Sequence, residues 1–227
     1  MGRDKALIEV GGRALIEHAV AALDGVCGEV LLACGGAPRY EHLGRRLVLD
    51  LRPGGATELG PLAGLAAALE ATRTEWLVAL ACDMPGAEPE LLEELARFAE
   101  AGELDVAMLA TEAGPEPLCA VYRQTCSWAA REALERGEMR LTAFHAGRAS
   151  SAAGARALRV ATLHAEALSL PLRARLPRAI RNLNTPADVL SVERASLEPG
   201  DLDPESGDGA DAPDAAQAPS ELRALRT

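Results

Sequence analysis

Runs of apolar residues alternate with amphipathic stretches along most of the chain, and this pattern predicts alternating strands and helices. The short runs are almost continuously apolar, as expected of strands that are buried on both faces of a parallel sheet. Between them, apolar residues recur at helical spacing. The predicted strands are 29–34, 46–50, 75–85, 105–111, 117–123 and 158–164, and the predicted helices are 13–25, 60–73, 88–102, 125–138 and 185–196.

This alternation predicts an α/β fold of three layers, in which a mainly parallel sheet is flanked by helices. The chain has 227 residues, of which 48% are hydrophobic and only 3% aromatic, so Ala, Leu and Val must build the core. From residue 197 onward the sequence becomes rich in Pro, Gly, Asp and Ala. We therefore expect one folded domain over 1–196 and a disordered acidic tail over 197–227.

Charge and cysteine usage exclude several classes of function. The net charge is −11, but seven acidic residues and no basic residue fall within 198–214, so the rest is only mildly acidic. No basic face for nucleic acid is expected, and no apolar run approaches the ~20 residues of a membrane span. The five cysteines have no CxxC spacing and indicate buried, reduced thiols of a cytoplasmic protein. The oligomeric state stays open.

Two carboxylates fall at the ends of predicted strands, which is where open parallel sheets bind ligands. Asp83 ends the most apolar run and is followed by Met84 and Pro85, and Asp50 ends the run RLVLD. Such a carboxylate could hold a divalent cation together with phosphate oxygens. Asp83 could also simply cap the segment that begins near Pro85.

Two turns could bind phosphate groups. Lys5 belongs to the turn GRDK and could reach phosphates as a point charge, although a solvated lysine is the simpler interpretation. Gly60 and Pro61 begin GPLAG, a turn that enters a helix whose N-terminus favours anions, although most such turns are structural. The four histidines are scattered and are expected to be structural or exposed to solvent, so no nucleophile is evident.

Five segments resemble, in order along the chain, the molybdenum cofactor guanylyltransferase family, and together they cover about residues 1–193. They are MGRDKALIEVGGRALIEH, LVLD, ELGPLAGL, ACDMP and NLNTPAD. The resemblance implies a nucleotide-diphospho-sugar transferase-like, Rossmann-like fold. It implies transfer of GMP from GTP to the phosphate of molybdopterin, with Mg²⁺ as cofactor and pyrophosphate as the second product. Molybdoenzymes or their chaperones are the implied protein partners.

The same resemblance assigns roles to individual residues. Lys5 matches a catalytic lysine that contacts the GTP phosphates, and Asp83 matches the catalytic aspartate that binds both magnesium and nucleotide. Asp50 matches an acid at the nucleotide site, which also includes the turn at Gly60 and Pro61. Asn182 and Asn184 match asparagines near the acceptor.

Family members open with a strand and LAGGxSxRMGxDK, whereas this sequence starts at the internal Met of that motif. We therefore expect that the N-terminal strand and the LAGGxSxR half of the phosphate loop are missing, that the true start lies upstream, and that the chain as given is poorly active. Two alternatives remain. One is a nucleotidyltransferase of another branch, which transfers CMP to molybdopterin or a nucleotide to a sugar phosphate. The other is a truncated, inactive nucleotide-binding or partner protein.

Overall fold

The computed structural model describes residues 4–55, 60–151, 154–183 and 188. Its helices are α1 (Leu15–Asp24), α2 (Pro61–Ala71), α3 (Pro89–Ala101), α4 (Cys126–Glu135) and α5 (Leu170–Ala179). Its strands are β1 (Glu9–Val10), β2 (Arg13–Ala14), β3 (Leu31–Ala33), β4 (Arg46–Val48), β5 (Trp76–Leu80), β6 (Val106–Thr111), β7 (Gly114–Arg123), β8 (Arg148–Ser151), β9 (Gly154–Ala157) and β10 (Val160–Leu163). Short 3-10 turns cover Lys5–Leu7, Glu41–Leu43, Pro53–Gly55 and Ala165–Ala167.

The largest sheet contains four strands in the order β10-β6-β7-β5. β10 lies parallel to β6, and β7 runs antiparallel to both of its neighbours. A separate parallel pair is formed by β3 and β4. The predicted α/β class is confirmed, but the four-stranded sheet is mixed rather than mainly parallel. The reason is local: only two residues separate β6 from β7, and so short a connection can join antiparallel strands only.

The core lies on both faces of this sheet, which gives the predicted three layers. Val106 and Met108 of β6 pack on one face with residues of α2 and α4. Ala107 and Leu109 of the same strand pack on the other face with α3 and α5. Both sets are buried because alternate residues of a strand point to opposite faces.

The sequence pattern did not predict several of these helices and strands. The hairpins β1–β2 and β8–β9 are short, and the sequence of α5, LPLRARLPRA, contains an internal proline and three arginines. The apolar residues of α5 form only a weak stripe along the helix, so its sequence does not predict a helix. The predicted helix over 185–196, except for residue 188, lies outside the described residues, as does the predicted tail over 197–227.

The cysteines behave as the sequence predicts. All five are free thiols, and three of them are buried. Burial raises the pKa of Cys119 to about 12 and that of Cys126 to about 12, so neither forms a thiolate near neutral pH. No helix among the described residues is long and apolar enough to cross a membrane.

A buried carboxylate anchors the hairpin β8–β9 to the sheet. Asp105 is fully buried and accepts a 2.7 Å hydrogen bond from Nη2 of Arg156 and one of 2.8 Å from the backbone N–H of Arg159. We expect Asp105→Asn to lower the free energy of unfolding by about 2 kcal/mol, because the buried acceptor loses the charge that pairs with Arg156. Urea denaturation checks this value. Glu103→Gln, which removes an exposed carboxylate paired with Arg159, should change it by less than about 0.5 kcal/mol.

His145 makes the stability depend on pH. Burial lowers its pKa to about 4, and its ring packs edge-on against Phe144 at 4.8 Å between centroids. The unfolded chain therefore binds a proton on this ring at higher pH than the folded chain does. We expect stability to be full above about pH 6.5 and to fall by on the order of 1 kcal/mol by pH 5. His145→Gln should flatten that slope in thermal melts, whereas replacement of the exposed His42 should not.

Candidate active site

An ion pair between residues far apart in sequence marks one edge of the sheet. Nζ of Lys5 donates to Oδ2 of Asp83 at 2.7 Å, with the two side chains 33% and 22% exposed. Asp83 follows β5 in the turn before Pro85, and Lys5 begins the 3-10 turn that Asp4 caps by accepting from the N–H of Ala6. The predicted lysine and aspartate thus meet at the carboxyl end of the most apolar strand.

Lys5 is also the only lysine in the sequence, in which every other permanently cationic side chain is arginine. Lysine presents a compact charge with three donors, whereas arginine presents a planar fork. A single lysine in an arginine-rich chain is a compositional signal that supports a role for Lys5 at a site.

A second cation lies beside this pair. Asp4 accepts from Oη of Tyr40 at 2.7 Å and pairs with Nη1 of Arg39 at 3.4 Å. Arg39 also donates through Nε and Nη2 to the carbonyl of Cys34, at 3.1 and 2.9 Å. Burial and the hydrogen bond to Asp4 raise the pKa of Tyr40 to about 12, so its hydroxyl stays protonated. The motif analysis missed Asp4, Arg39 and Tyr40, although the last two follow a Gly-Gly turn directly after β3.

Asp50 follows β4 in the separate β3–β4 pair, and it lines the same cavity as Ala6 and Cys82, the chain neighbours of Lys5 and Asp83. Its backbone N–H donates to the carbonyl of Gly35 at 2.9 Å. Burial raises the pKa of its carboxyl, and the nearby guanidinium groups of Arg52 and Arg39 oppose that shift. Arg52 lies against Gly36 so closely that a Cβ there would come within 1.9 Å of Nη2. Arg52 is a further site cation that the motif analysis did not select.

The predicted turn at Gly60 and Pro61 does begin a helix. Gly60 is the N-cap of α2 and Pro61 is its first residue. A Cβ on Gly60 would lie 2.5 Å from the carbonyl oxygen of Met139. Only glycine therefore allows the backbone at residue 60 to lie so close to Met139. In the first turn, a Cβ on Gly64 would lie 3.1 Å from Oδ1 of Asp50. The start of α2 therefore packs closely against Asp50.

The candidate acceptor residue Asn182 lies next to Asp83 in the fold. The N–H of Leu183 donates to the backbone carbonyl of Asp83 at 2.9 Å and fixes this segment beside the ion pair. Oδ1 of Asn182 is buried without a hydrogen-bond partner among the described residues. Asn184 lies outside the described residues.

Part of this region lines one cavity. Ala6, Gly35, Tyr40, Asp50 and Cys82 line a common cavity, so the ends of β3, β4 and β5 meet there. Lys5 and Arg39 directly precede the lining residues Ala6 and Tyr40, so their charges lie near the cavity and suit a polyanion, and helix α2 begins at the lining residue Pro61. Within the described ranges, no group of three or more His, Cys, Asp or Glu side chains is placed to hold a metal. The arrangement is suited to binding a phosphorylated ligand, and Asp83 is the carboxylate that pairs with Lys5 there.

Solved structures share this fold. Molybdopterin-guanine dinucleotide biosynthesis protein A from Archaeoglobus fulgidus superposes with a TM-score of 0.64 at 24% identity, over 86% of this chain and 91% of that one. The 2-C-methyl-D-erythritol 4-phosphate cytidylyltransferase of Thermus thermophilus superposes with a TM-score of 0.56 at 18% identity, over 85% and 93%. The fold is therefore that of the nucleotide-diphospho-sugar transferase-like proteins.

Sequence comparison identifies the family within that class. Residues 1–152 match the family described as the MobA-like NTP transferase domain. A probable molybdenum cofactor guanylyltransferase of Pelotomaculum thermopropionicum is 33% identical over 192 residues, which is 85% of each chain. The chain belongs to the MobA-like NTP transferase family and is a nucleotidyltransferase, as the sequence motifs predict.

Proposed function

We propose that this chain transfers GMP from GTP to the terminal phosphate of molybdopterin and releases pyrophosphate. The observation that carries the proposal is the Lys5–Asp83 pair at the carboxyl end of β5, with Asp50 and the start of α2 at the same opening. Membership of a nucleotidyltransferase family supports the reaction class. The similarity to a probable molybdenum cofactor guanylyltransferase from Pelotomaculum supports guanylyl transfer to the molybdenum cofactor.

The chemistry needs charge stabilisation more than proton transfer. The attacking phosphate of the acceptor is already ionised and would displace pyrophosphate at the α-phosphorus of GTP in line. In this proposal Lys5 leaves Asp83 and donates to the triphosphate, where its positive charge stabilises the negative charge that develops in the transition state. Arg39 and Arg52 add positive charge at the rim, and no cysteine or histidine nucleophile is needed.

The residues present fit a magnesium ion that is shared with the substrate. Mg²⁺ is usually held by one or two carboxylates together with water and substrate phosphates, so the carboxylate of Asp83 suffices on the protein side. When bound, the ion would neutralise phosphate charge and polarise the α-phosphate. The ion pair with Lys5 would keep the charge of Asp83 balanced before nucleotide and metal arrive.

Asn182 is the proposed contact to the acceptor. Its chain neighbour Leu183 donates a backbone hydrogen bond to Asp83, and Oδ1 of Asn182 is buried without a partner among the described residues. Buried polar atoms usually find partners, so a donor on a ligand would complete this one. Three further predictions rest on the resemblance alone. They are a contact between Asn184 and the acceptor, molybdoenzymes or their chaperones as protein partners, and a cytoplasmic location.

A transfer assay tests the proposal. Purified protein is incubated with molybdopterin and either GTP or CTP, in MgCl₂ or in EDTA, and both pyrophosphate and the dinucleotide product are measured. We expect product with GTP only, only with the metal, and at the low rate that the sequence predicts for the chain as given. Product with CTP would instead assign the protein to the cytidylyltransferases. Binding of GTP without any product would instead indicate an inactive nucleotide-binding protein.

A further inference from the structure

The end of helix α5 lies against the turn that carries Asp83. A Cβ on Gly86 would lie 2.4 Å from the backbone oxygen of Arg178 and 2.9 Å from its carbonyl carbon. Gly86 is not among the glycines with a positive φ, so its own backbone conformation would allow a side chain. The close contact with Arg178, rather than the shape of the turn, therefore requires glycine at this position.

The backbone of Arg178 leads directly to the proposed acceptor contact. Its carbonyl oxygen accepts from the N–H of Arg181 at 3.4 Å, which closes the turn after α5. Asn182 comes next in the chain, and the N–H of Leu183 donates to the carbonyl oxygen of Asp83 at 2.9 Å. The segment therefore meets the turn that carries Asp83 at two points, one before and one after Asn182.

The turn itself is held in place by local hydrogen bonds and by burial. The N–H of Met84 donates to the carbonyl of Ala81 at 3.3 Å, and the N–H of Ala87 donates to the carbonyl of Met84 at 3.1 Å. Met84 and Ala87 are buried, and they belong to the same apolar cluster as three residues of α5. Because a packed core resists displacement, a side chain added at Gly86 would displace Arg178 rather than the turn.

We propose that Gly86 is a positioning residue for the acceptor. Because Gly86 lacks a Cβ, the backbone of Arg178 can lie against the turn, and this contact fixes the position of Asn182. The inference rests on the proposed function, in which Asn182 contacts the acceptor. Oδ1 of Asn182 is buried without a partner among the described residues. A hydrogen bond to this oxygen forms only over a narrow range of distances and angles, so a small displacement of the segment would lower the affinity for the acceptor.

An ion pair supports the same junction. Arg175, one turn before Arg178 on α5, pairs with Glu88, the N-cap residue of α3. Both side chains are partly exposed, so the pair contributes less than the backbone contact at Gly86. Arg173 lies on the same helix and is exposed, and it makes no ion pair within the described ranges. The two arginines therefore form a matched pair for substitution.

Gly86→Ala tests the proposal, and Gly102→Ala is its control. At Gly102 the nearest atom to an added Cβ is Cγ of the Leu104 side chain, at 3.0 Å. We expect Gly86→Ala to raise the Kd of molybdopterin about tenfold and to leave the Kd of GTP within about twofold, whereas the control should change neither. Isothermal titration calorimetry under anaerobic conditions measures both constants. An unchanged Kd of molybdopterin, or an equal rise for both ligands, would overturn the proposal.

The amide of Leu183 gives a readout that needs no ligand. Its hydrogen exchange should be about tenfold faster in Gly86→Ala than in the unmodified chain, because its bond to Asp83 weakens. The amide of Leu95, within α3 and buried, should exchange at the same rate in both. An unchanged rate at Leu183, or equal acceleration at both amides, would contradict a positioning role for Gly86.

The binding data separate this inference from the proposed function. Failure of the unmodified chain to bind molybdopterin would contradict the proposed function, and with it the acceptor role of the segment. If the unmodified chain binds molybdopterin and Gly86→Ala binds it equally well, only the inference about Gly86 is wrong.

Arg175→Met, with Arg173→Met as its control, keeps the proposal testable if Gly86→Ala does not fold. We expect Arg175→Met to weaken molybdopterin binding and to accelerate exchange at Leu183 by about two- to threefold, which is the size of effect expected of a partly exposed ion pair. The Kd of GTP should stay unchanged. Equal results from the two arginine variants would contradict the proposal.

Discussion

Asp83→Asn is expected to reduce metal-dependent transfer by about 10³-fold or more. The substitution keeps the shape of the side chain and the backbone carbonyl that accepts from Leu183, so the local fold should persist. It removes the carboxylate that pairs with Lys5 and that is proposed to bind the cation. The measurement is the initial rate of pyrophosphate release from GTP and molybdopterin across a MgCl₂ titration.

The matched control is Asp24→Asn, which removes an acid paired with Arg45 at the end of α1. We expect its rate and metal dependence to equal those of the unmodified chain. If the Asp83 variant kept its activity with an unchanged metal dependence, the assignment of the metal to Asp83 would be wrong. Circular dichroism should show that both variants are folded, so a lost rate reports on the site.

Lys5→Met is expected to lower the rate by about 10²-fold, because the transition state loses a positive charge near the triphosphate. Lys5→Arg should restore only part of the activity, since a planar guanidinium cannot take the place of a compact ammonium. The Lys5/Asp83 double variant should be less impaired than the product of the single effects, because the two residues act as a pair. Strict additivity would contradict a shared role.

Lys5 allows an independent test with the unmodified protein. Because it is the only lysine, an amine-reactive reagent can modify only this side chain and the N-terminal amine, and mass spectrometry separates the two products. We expect GTP with Mg²⁺ to protect Lys5 from labelling and to leave the N-terminal amine reactive. Equal labelling of Lys5 with and without nucleotide would exclude contact between Lys5 and the phosphates.

The strands that carry the site could be predicted because their signal is local. The apolar runs that end at Asp50 and Asp83 predict buried strands with an acid at the carboxyl end, and β4 and β5 are found within those runs. The start of α2 near Pro61 followed from the Gly-Pro pair that enters a helical pattern. In each case neighbouring residues decide the conformation.

The rest of the opening depends on contacts between distant residues. Arg39 and Tyr40 meet Asp4 across 35 and 36 positions, and Arg52 lies on Gly36. Nothing in the local pattern distinguishes these arginines from the many others on the surface. The antiparallel direction of β7 was likewise missed, because an apolar run predicts burial and not direction.

The amino-acid sequence by itself determined the α/β class, most of the helices and strands, the absence of disulfides among its five cysteines, and the motifs that mark a nucleotidyltransferase. Periodicity over a few residues is enough for these properties, since backbone geometry alone sets the repeats of helix and strand. Only the tertiary structure decided that Lys5 pairs with Asp83 over 78 positions, and that Asp50 and Cys82 line one cavity. Both depend on which strand edges and turns come together in space, and that is settled by packing of the whole chain.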